Sequence, residues 1–446
     1  MGTRRGRRAY DRRLGGGGGA VRAAQDLYRH GGDTRAAART QAIAGQALRR
    51  WGRHAQAREQ LIAAVAVLRD DPDTDTVRAL GDLALLEVFT GTPEADALTA
   101  EALALGQDLA VDDATLAQLF TTRGLRHIQA GRRPQAAAYS QAAARLATQA
   151  GDTLSLGRAL VNLADAINAT DPAAGAETAR AAAAHARQAG ARHYLATAVN
   201  NLAQALLMTG DWDGAEAELA QALDGDALAD IEHLACYRAW VAALRGDTET
   251  AQTVLAGLND LRATEDPQDQ AVMATAEAFT AAAGRQPATA LRCARTALDQ
   301  AAALGISHEF LRWAWPLAAR AAHDLADTAT VNDLLAMLDG YRPGQLAPMQ
   351  RAEHDLARAR LAASDGGPDA GAAFTAAIAG LRQHSTPYHL AHGLLDHAEH
   401  LLRAGDDETA AAATGEAVGI AQQLGCQPLL DRAEITQPTS PRATAS

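Results

Sequence analysis

A glycine or aspartate turn returns along this chain at nearly even intervals, and that period constrains the fold more than any single motif. In VNNLAQALLMTGDWDGAEAELAQAL (199–223), two apolar-striped segments flank Gly210-Asp211. Comparable turns fall at Gly52, Gly91, Gly131, Asp171, Gly246, Gly284, near Asp327, at Gly366 and at Gly405. Gly52 to Gly405 spans 353 residues in nine intervals, about 39 each. A second series, Gly151 and Gly190, marks the other helix end at the same spacing. Each interval holds two helices of about 12–16 residues and two short turns. One such hairpin cannot bury its apolar face, but stacked neighbours can. The period therefore predicts an all-α solenoid of about ten helical hairpins over residues 20–435, each repeat leaning on the next.

Composition agrees with this period. Apolar residues make up 48% of the chain but aromatics only 4%, and alanine supplies most of the difference. Alanine has the highest helix propensity and little bulk, so the helices are expected to pack closely. No run approaches the roughly 20 apolar residues of a membrane span, and no secretion signal is legible at the start. Cys236, Cys293 and Cys426 are far apart and fit no ligand spacing. They read as reduced thiols of a cytoplasmic protein. The chain contains no lysine, so all 41 basic side chains are arginine. That excludes a P-loop, a lysine Schiff base and a kinase-type lysine within this sequence. Net charge is −12, although the first thirteen residues carry six arginines against Asp11. An acidic body repels phosphate backbones, so nucleic acid is not an expected partner of the repeats.

The unit quoted above resembles the tetratricopeptide (TPR) pattern through Asn201-Leu202-Ala203, Ala205-Leu206, Gly210-Asp211-Trp212, Ala215, Leu219, Ala222 and Leu223. Leu202 and Leu206 form an i, i+4 stripe, Ala203 and Ala215 leave room for close helix contact, and Trp212 is placed to cover the turn. The match extends to Asp82–Leu105, Arg123–Leu146 and Asn162–Ala184. The period is longer than the 34 residues of the family, and no proline closes the unit. The resemblance implies a right-handed superhelix that recognises proteins. Longer repeats of this kind are similar to those in the C-terminal part of large actinobacterial transcriptional and signalling regulators, and the ending EAVGIAQQLGCQPLLDRAE resembles theirs.

The ends differ from the body. Residues 1–19, rich in arginine and glycine, and residues 436–446 are expected to be disordered tails. Three readings of the first stretch stay open: a basic tail for an acidic partner or nucleic acid, an unselected tail, or a start lying inside a longer gene. The breaks EDPQD (265–269) and YRPGQLAP (341–348) read as inter-helix loops, and 306–350 is the least regular repeat.

Chemistry-bearing patterns are few. GGGGGA (15–20) contains G-x-G-x-x-A, but RRAYDRRL before it is no buried strand. His389, His392, Asp396 and His400 share one helix face, yet they spread over roughly 16 Å along the axis. A solvated or groove-facing side is the expectation there, with a metal site or a pH-sensitive contact as the other readings. HEFLR (308–312) lacks the second histidine of a zincin, and GxSxG is absent. No catalytic, cofactor-binding or metal-binding residues are expected.

The functional signal that stands out is a ladder. The TPR resemblance implies that the position nine residues before the turn faces a concave groove and is often asparagine. Here that position holds Asp82, Asn162, Asn201, Tyr237, Thr275 and Asp396. Arg123 lies eight before Gly131, but 39 before Asn162. Asp82, Arg123, Asn162 and Asn201 are the expected contacts to a partner segment, through hydrogen bonds to its backbone or carboxylates. The expected function is a non-catalytic interaction scaffold or sensor arm of a bacterial regulator. The alternatives are a small-molecule-sensing solenoid with Trp240, Trp313 and Trp315 as pocket candidates, or a fragment of a larger ATPase or DNA-binding regulator.

Overall fold

Helix punctuation follows the sequence turn by turn. A computed structural model describes residues 30–50, 53–224 and 231–436, together with residues 23, 24, 27 and 28. The expected tail at 1–19, the Gly52 turn and residues 437–446 lie outside the described residues. Among the described residues every regular element is helical, and the 23 α-helices comprise ten hairpins, two short helices between hairpins and a terminal helix.

The hairpins are α1 (Thr34–Arg50) with α2 (His54–Leu68), α3 (Thr74–Thr90) with α4 (Ala95–Asp108), and α5 (Asp113–Gln129) with α6 (Arg133–Gln149). Next come α7 (Thr153–Asn168) with α8 (Pro172–Ala189), α9 (Arg192–Thr209) with α10 (Trp212–Asp224), and α11 (Ile231–Arg245) with α12 (Thr248–Ala256). After the short α13 (Asn259–Arg262), α14 (Pro267–Ala283) pairs with α15 (Pro287–Leu298). After the short α16 (Ala301–Leu304), α17 (Glu309–Asp324) pairs with α18 (Thr328–Asp339). The last pairs are α19 (Pro348–Ser364) with α20 (Ala370–His384) and α21 (Pro387–Ala404) with α22 (Asp407–Leu424), followed by α23 (Gln427–Thr436).

The ends are chemically marked. Asp73, Asp171, Asp247, Asp327 and Asp406 each accept a backbone N–H as an N-cap, satisfying donors that a helix start leaves unpaired. Proline opens α8, α14, α15, α19 and α21, where its missing N–H costs nothing. Gly210 ends α9 in the left-handed region (φ 88°), where a Cβ would be strained and would also press on Leu424 and Pro387 at 3.2 Å. At the α15 and α18 turns, where no glycine takes this role, Arg285 and Ala326 adopt φ of 55° themselves.

The chain divides into two compact units. Among the described residues, the smaller comprises those up to 126 and 139–159, the larger 127–138 and those from 160 to 436. The smaller unit is built on Leu61, Val65, Leu68, Val77, Leu80 and Leu119. In the larger unit the opening stretch behaves as its spacing predicts. Leu202, Ala203, Ala215 and Leu219 are buried, and the Trp212 indole donates to the Leu207 carbonyl across the turn (3.3 Å).

An open solenoid brings only neighbouring repeats together. The larger unit does more than that. Arg133 donates to Ser307 O (2.7 Å), 174 residues away, and Gln129 donates to Ala303 O (3.1 Å). Gly246 lies against Pro428 and Gln427, and Arg285 pairs with Asp431 at 3.2 Å. Its hairpins therefore close on one another around a shared interior.

Ala203 has no exposed surface. Ala203→Arg should lower stability by several kcal/mol, on the combined scale of overpacking and a buried unpaired charge. Thermal melting followed by circular dichroism checks this, and an unchanged midpoint would contradict the packing of α9.

Candidate functional site

The interior of the larger unit is lined by first helices of successive hairpins, and it mixes rings with charges. Tyr237 stacks on Trp240 (centroids 5.5 Å apart), and Trp240 stacks on Phe279 (5.0 Å) and meets Trp313 edge-on (5.1 Å). Trp313 continues to Tyr388 (6.3 Å) and His389 (4.8 Å). Offset and edge contacts of this kind add about 0.5–1.5 kcal/mol each beyond area burial. Trp315, on the same helix as Trp313, is also fully buried and donates to Leu334 O (3.0 Å).

Beside the rings lies a buried charge network. Arg133 donates to Asp165 Oδ1 (3.0 Å) and ties α7 to the loop at Ser307. Burial would lift the Asp165 pKa, but Arg133 and the other nearby cations hold it below the usual carboxylate range. The Gln204 amide faces Arg312 with its oxygen and Glu309 Oε2 with its nitrogen (2.9 Å), the orientation those charges require. Burial, then the Asp165 charge, pushes the Glu309 carboxyl upward. Burial lowers His308 to about 3 and Arg312 to about 10. Asn168 donates to Asn201 O (2.9 Å), and Asn201 donates to Val161 O (2.8 Å), so amides tie α7 to α9.

Several donors here have no acceptor. They are Nε and Nη1 of Arg312 and the indole N–H groups of Trp240 and Trp313, whereas the neighbouring Tyr237 hydroxyl faces the Glu309 carboxyl. These three residues are at most 1% exposed. A buried donor without an acceptor costs about 1–3 kcal/mol, and more when charged. As a group they are a large burden on a fold whose whole margin is about 5–15 kcal/mol.

A second network surrounds Asp396 on α21. Arg320 grips it through two hydrogen bonds (2.9 and 3.1 Å), Arg432 donates at 2.5 Å, and Arg360 Nε stands 3.6 Å away. Burial alone would raise Asp396, yet the three arginines hold it well below the carboxylate range. Burial depresses His389 to about 3 and lowers His392 well below its ordinary value. The solvated or groove-facing side expected here is thus buried at His389 and Asp396, while His392 and His400, the latter tilted against Phe374 (5.3 Å), are half-buried. The reason is that α17, α19 and α23 each send an arginine to Asp396, which no local pattern displays. Glu353 accepts from Ser385 (3.1 Å), and burial raises it to about 7.

The ladder residues separate by unit. In the smaller unit, Asp82 accepts from Gln46 (2.9 Å) and pairs with Arg49 at 3.5 Å. Arg123 and Arg126 share Asp96 at 3.5 and 3.0 Å, and both are part-exposed. In the larger unit Asn162 is half-buried and Asn201 is buried in its bond to Val161. Tyr237, Thr275 and Asp396 are buried in the interior. Sequence reasoning overlooked Arg133, Arg312, Arg320 and Glu353; as single polar residues in helical patterns they carry no signal of burial.

No family model matches the chain, and no curated protein matches it. Among solved structures it is similar to a Rap protein complexed with competence and sporulation factor, at 11% identity, over 89% of this chain and 99% of that one, with a TM-score of 0.47. It is also similar to a monomeric IFIT1 mutant with m7Gppp-AAAA (13% identity, 90% and 91% covered, TM-score 0.47). A third is the TPR domain of P58(IPK) (15% identity, 90% and 99% covered, TM-score 0.24). With its ten hairpins at a near-constant period, the chain is an all-α array of helical hairpins. Among the described residues, no helix is long and apolar enough to cross a membrane.

The raised Glu353 pKa sets a pH dependence. Its folded value of about 7 lies above the unfolded value of about 4.3. Its favourable contribution is therefore complete below the unfolded pKa and lost as pH rises through the folded one. Glu353→Gln should match wild type in stability near pH 4 and exceed it above pH 7, by on the order of 3 kcal/mol. Denaturant midpoints of the two proteins across that range check the difference; a constant difference would refute the assignment.

Proposed function

We propose that this chain is a non-catalytic interaction module, the sensor or regulatory arm of a bacterial regulator, which takes a segment of a partner protein against the first helices of its hairpins. The observation that supports this most is the loose pairing of Arg123 and Arg126, which share the single, half-exposed carboxylate of Asp96. Exposed pairs contribute about 0–1 kcal/mol, so a partner carboxylate replaces Asp96 at little cost. Asp82 supplies an acceptor on the preceding first helix, α3, of the same unit; in the larger unit, taken by itself, Asn162 offers a half-buried amide. Asn201 is a weaker contact in this reading, because its amide nitrogen already serves Val161. The regulator context and a cytoplasmic setting belong to the same proposal and are supported by the resemblance of the repeats and of the C-terminal sequence to regulator ends.

The test compares wild type with Arg123→Ala/Asn162→Ala in affinity capture from the source organism's lysate, read by quantitative mass spectrometry. Asn201 is left intact, since its loss would disturb packing as well. A partner held by wild type should fall about tenfold in capture with the double variant, the equivalent of about 1.4 kcal/mol, while melting stays unchanged. Equal capture by both folded proteins would remove these residues from the interface.

A further inference from the structure

We propose that the outer face of α2 is the surface through which two copies of this chain pair, antiparallel, helix against helix. This inference is independent of the partner reading, which rests on other residues. It starts from an apolar excess on one helix. Leu61–Leu68 is an unbroken apolar run, LIAAVAVL. Leu61, Ala64, Val65 and Leu68 are buried. Ile62 and Val67 remain 43% and 37% exposed, and Ala63 and Ala66 lie exposed beside them. A helix with apolar residues on every side is ordinarily covered on every side. Among the described residues, α2 is the one helix of α1–α23 that exposes two large apolar side chains.

The charges at the two ends of this face say what covers it. Glu59, Ile62, Ala66 and Arg69 follow one another at intervals of three, four and three residues, the spacing of a seam along which two helices meet. Across a two-fold axis such a seam runs against itself in reverse. Ile62 then meets Ala66 of the second copy, large against small. The next layer outward, on either side, sets Glu59 against Arg69. Each copy brings one carboxylate and one guanidinium, so opposite charges meet at both ends of the contact. A parallel pairing would instead set Glu59 against Glu59 and Arg69 against Arg69, which repel. Glu59 is exposed, and its neighbour Arg58 is held by Glu87 instead (2.6 Å). Arg69 binds Glu101 through Nε and Nη2 (2.9 and 2.6 Å). That bond fixes the guanidinium at the end of α2 and leaves Nη1 for a second carboxylate. One exposed helix face is smaller than the roughly 800 Å² per partner of a standard interface, so the dimer forms at micromolar rather than nanomolar concentration.

Sedimentation velocity of the full chain over roughly 1–200 µM, the range for a contact of this size, reads the pairing. Wild type should shift from monomer to dimer as concentration rises. Ile62→Asp, at an exposed position, should keep the helical fold by circular dichroism and weaken dimerisation about tenfold or more. Glu59→Arg and Arg69→Glu each set like charges across the two-fold axis, and each should weaken it about fivefold. The double reversal, Glu59→Arg/Arg69→Glu, exchanges the members of each pair and should restore the wild-type constant to within about a factor of two. That recovery distinguishes antiparallel self-pairing from any other contact through α2, including one with a different protein. A chain that stays monomeric at the highest concentration overturns the proposal. So does a dimer indifferent to Ile62→Asp, or one that the single reversals weaken and the double reversal does not recover.

Discussion

A carboxylate taken out of water must bring cations with it, and Asp396 draws them from three other helices. Removing one partner from such a pair costs about 3–5 kcal/mol, so the positions of Arg320, Arg360 and Arg432 are coupled through one side chain. That coupling joins α17, α19, α21 and α23. Arg133 acts similarly at the other end of the larger unit, holding Asp165 and the Ser307 loop together. Between these two clasps lies the ring-lined interior. Hydrophobic burial alone would pack neighbouring hairpins; the charged clasps select which distant hairpins meet.

The two units use the same hairpin differently. In the smaller one, the polar residues of the first helices keep part of their surface and pair through contacts as loose as Arg123 with Asp96. In the larger one, equivalent positions such as Tyr237 and Thr275 are buried. One repeat pattern thus supports an accessible polar surface in one unit and a closed interior of packed rings and paired charges in the other. The first suits exchangeable contacts with another chain.

The period and the hairpins were legible because their causes are local. Gly91, Gly131, Gly210, Gly246 and Gly405 all take the left-handed turn conformation expected of them. Asp171 and Asp327 cap helix starts at their predicted turns. Gly284 departs in detail: it keeps a negative φ, and Arg285 makes the turn in its place. The candidate site was less legible. Trp240 and Trp313 drew attention by residue type, but Arg133, Arg312 and Glu353 sit among many arginines and glutamates of similar local context.

By itself the sequence determined the helices, their ends, the pairing of each with the next, and the small residues such as Ala203 and Ala215 at which they touch. These follow from backbone hydrogen bonding, propensity and side-chain volume within some 40 residues of chain. Tertiary structure alone decided which repeats close on one another and which polar side chains lose water in doing so. That choice depends on contacts between residues 146 to 174 positions apart. Whether a given arginine is solvated or clasped depends on which distant hairpin of its unit lies against it, and no single repeat encodes that.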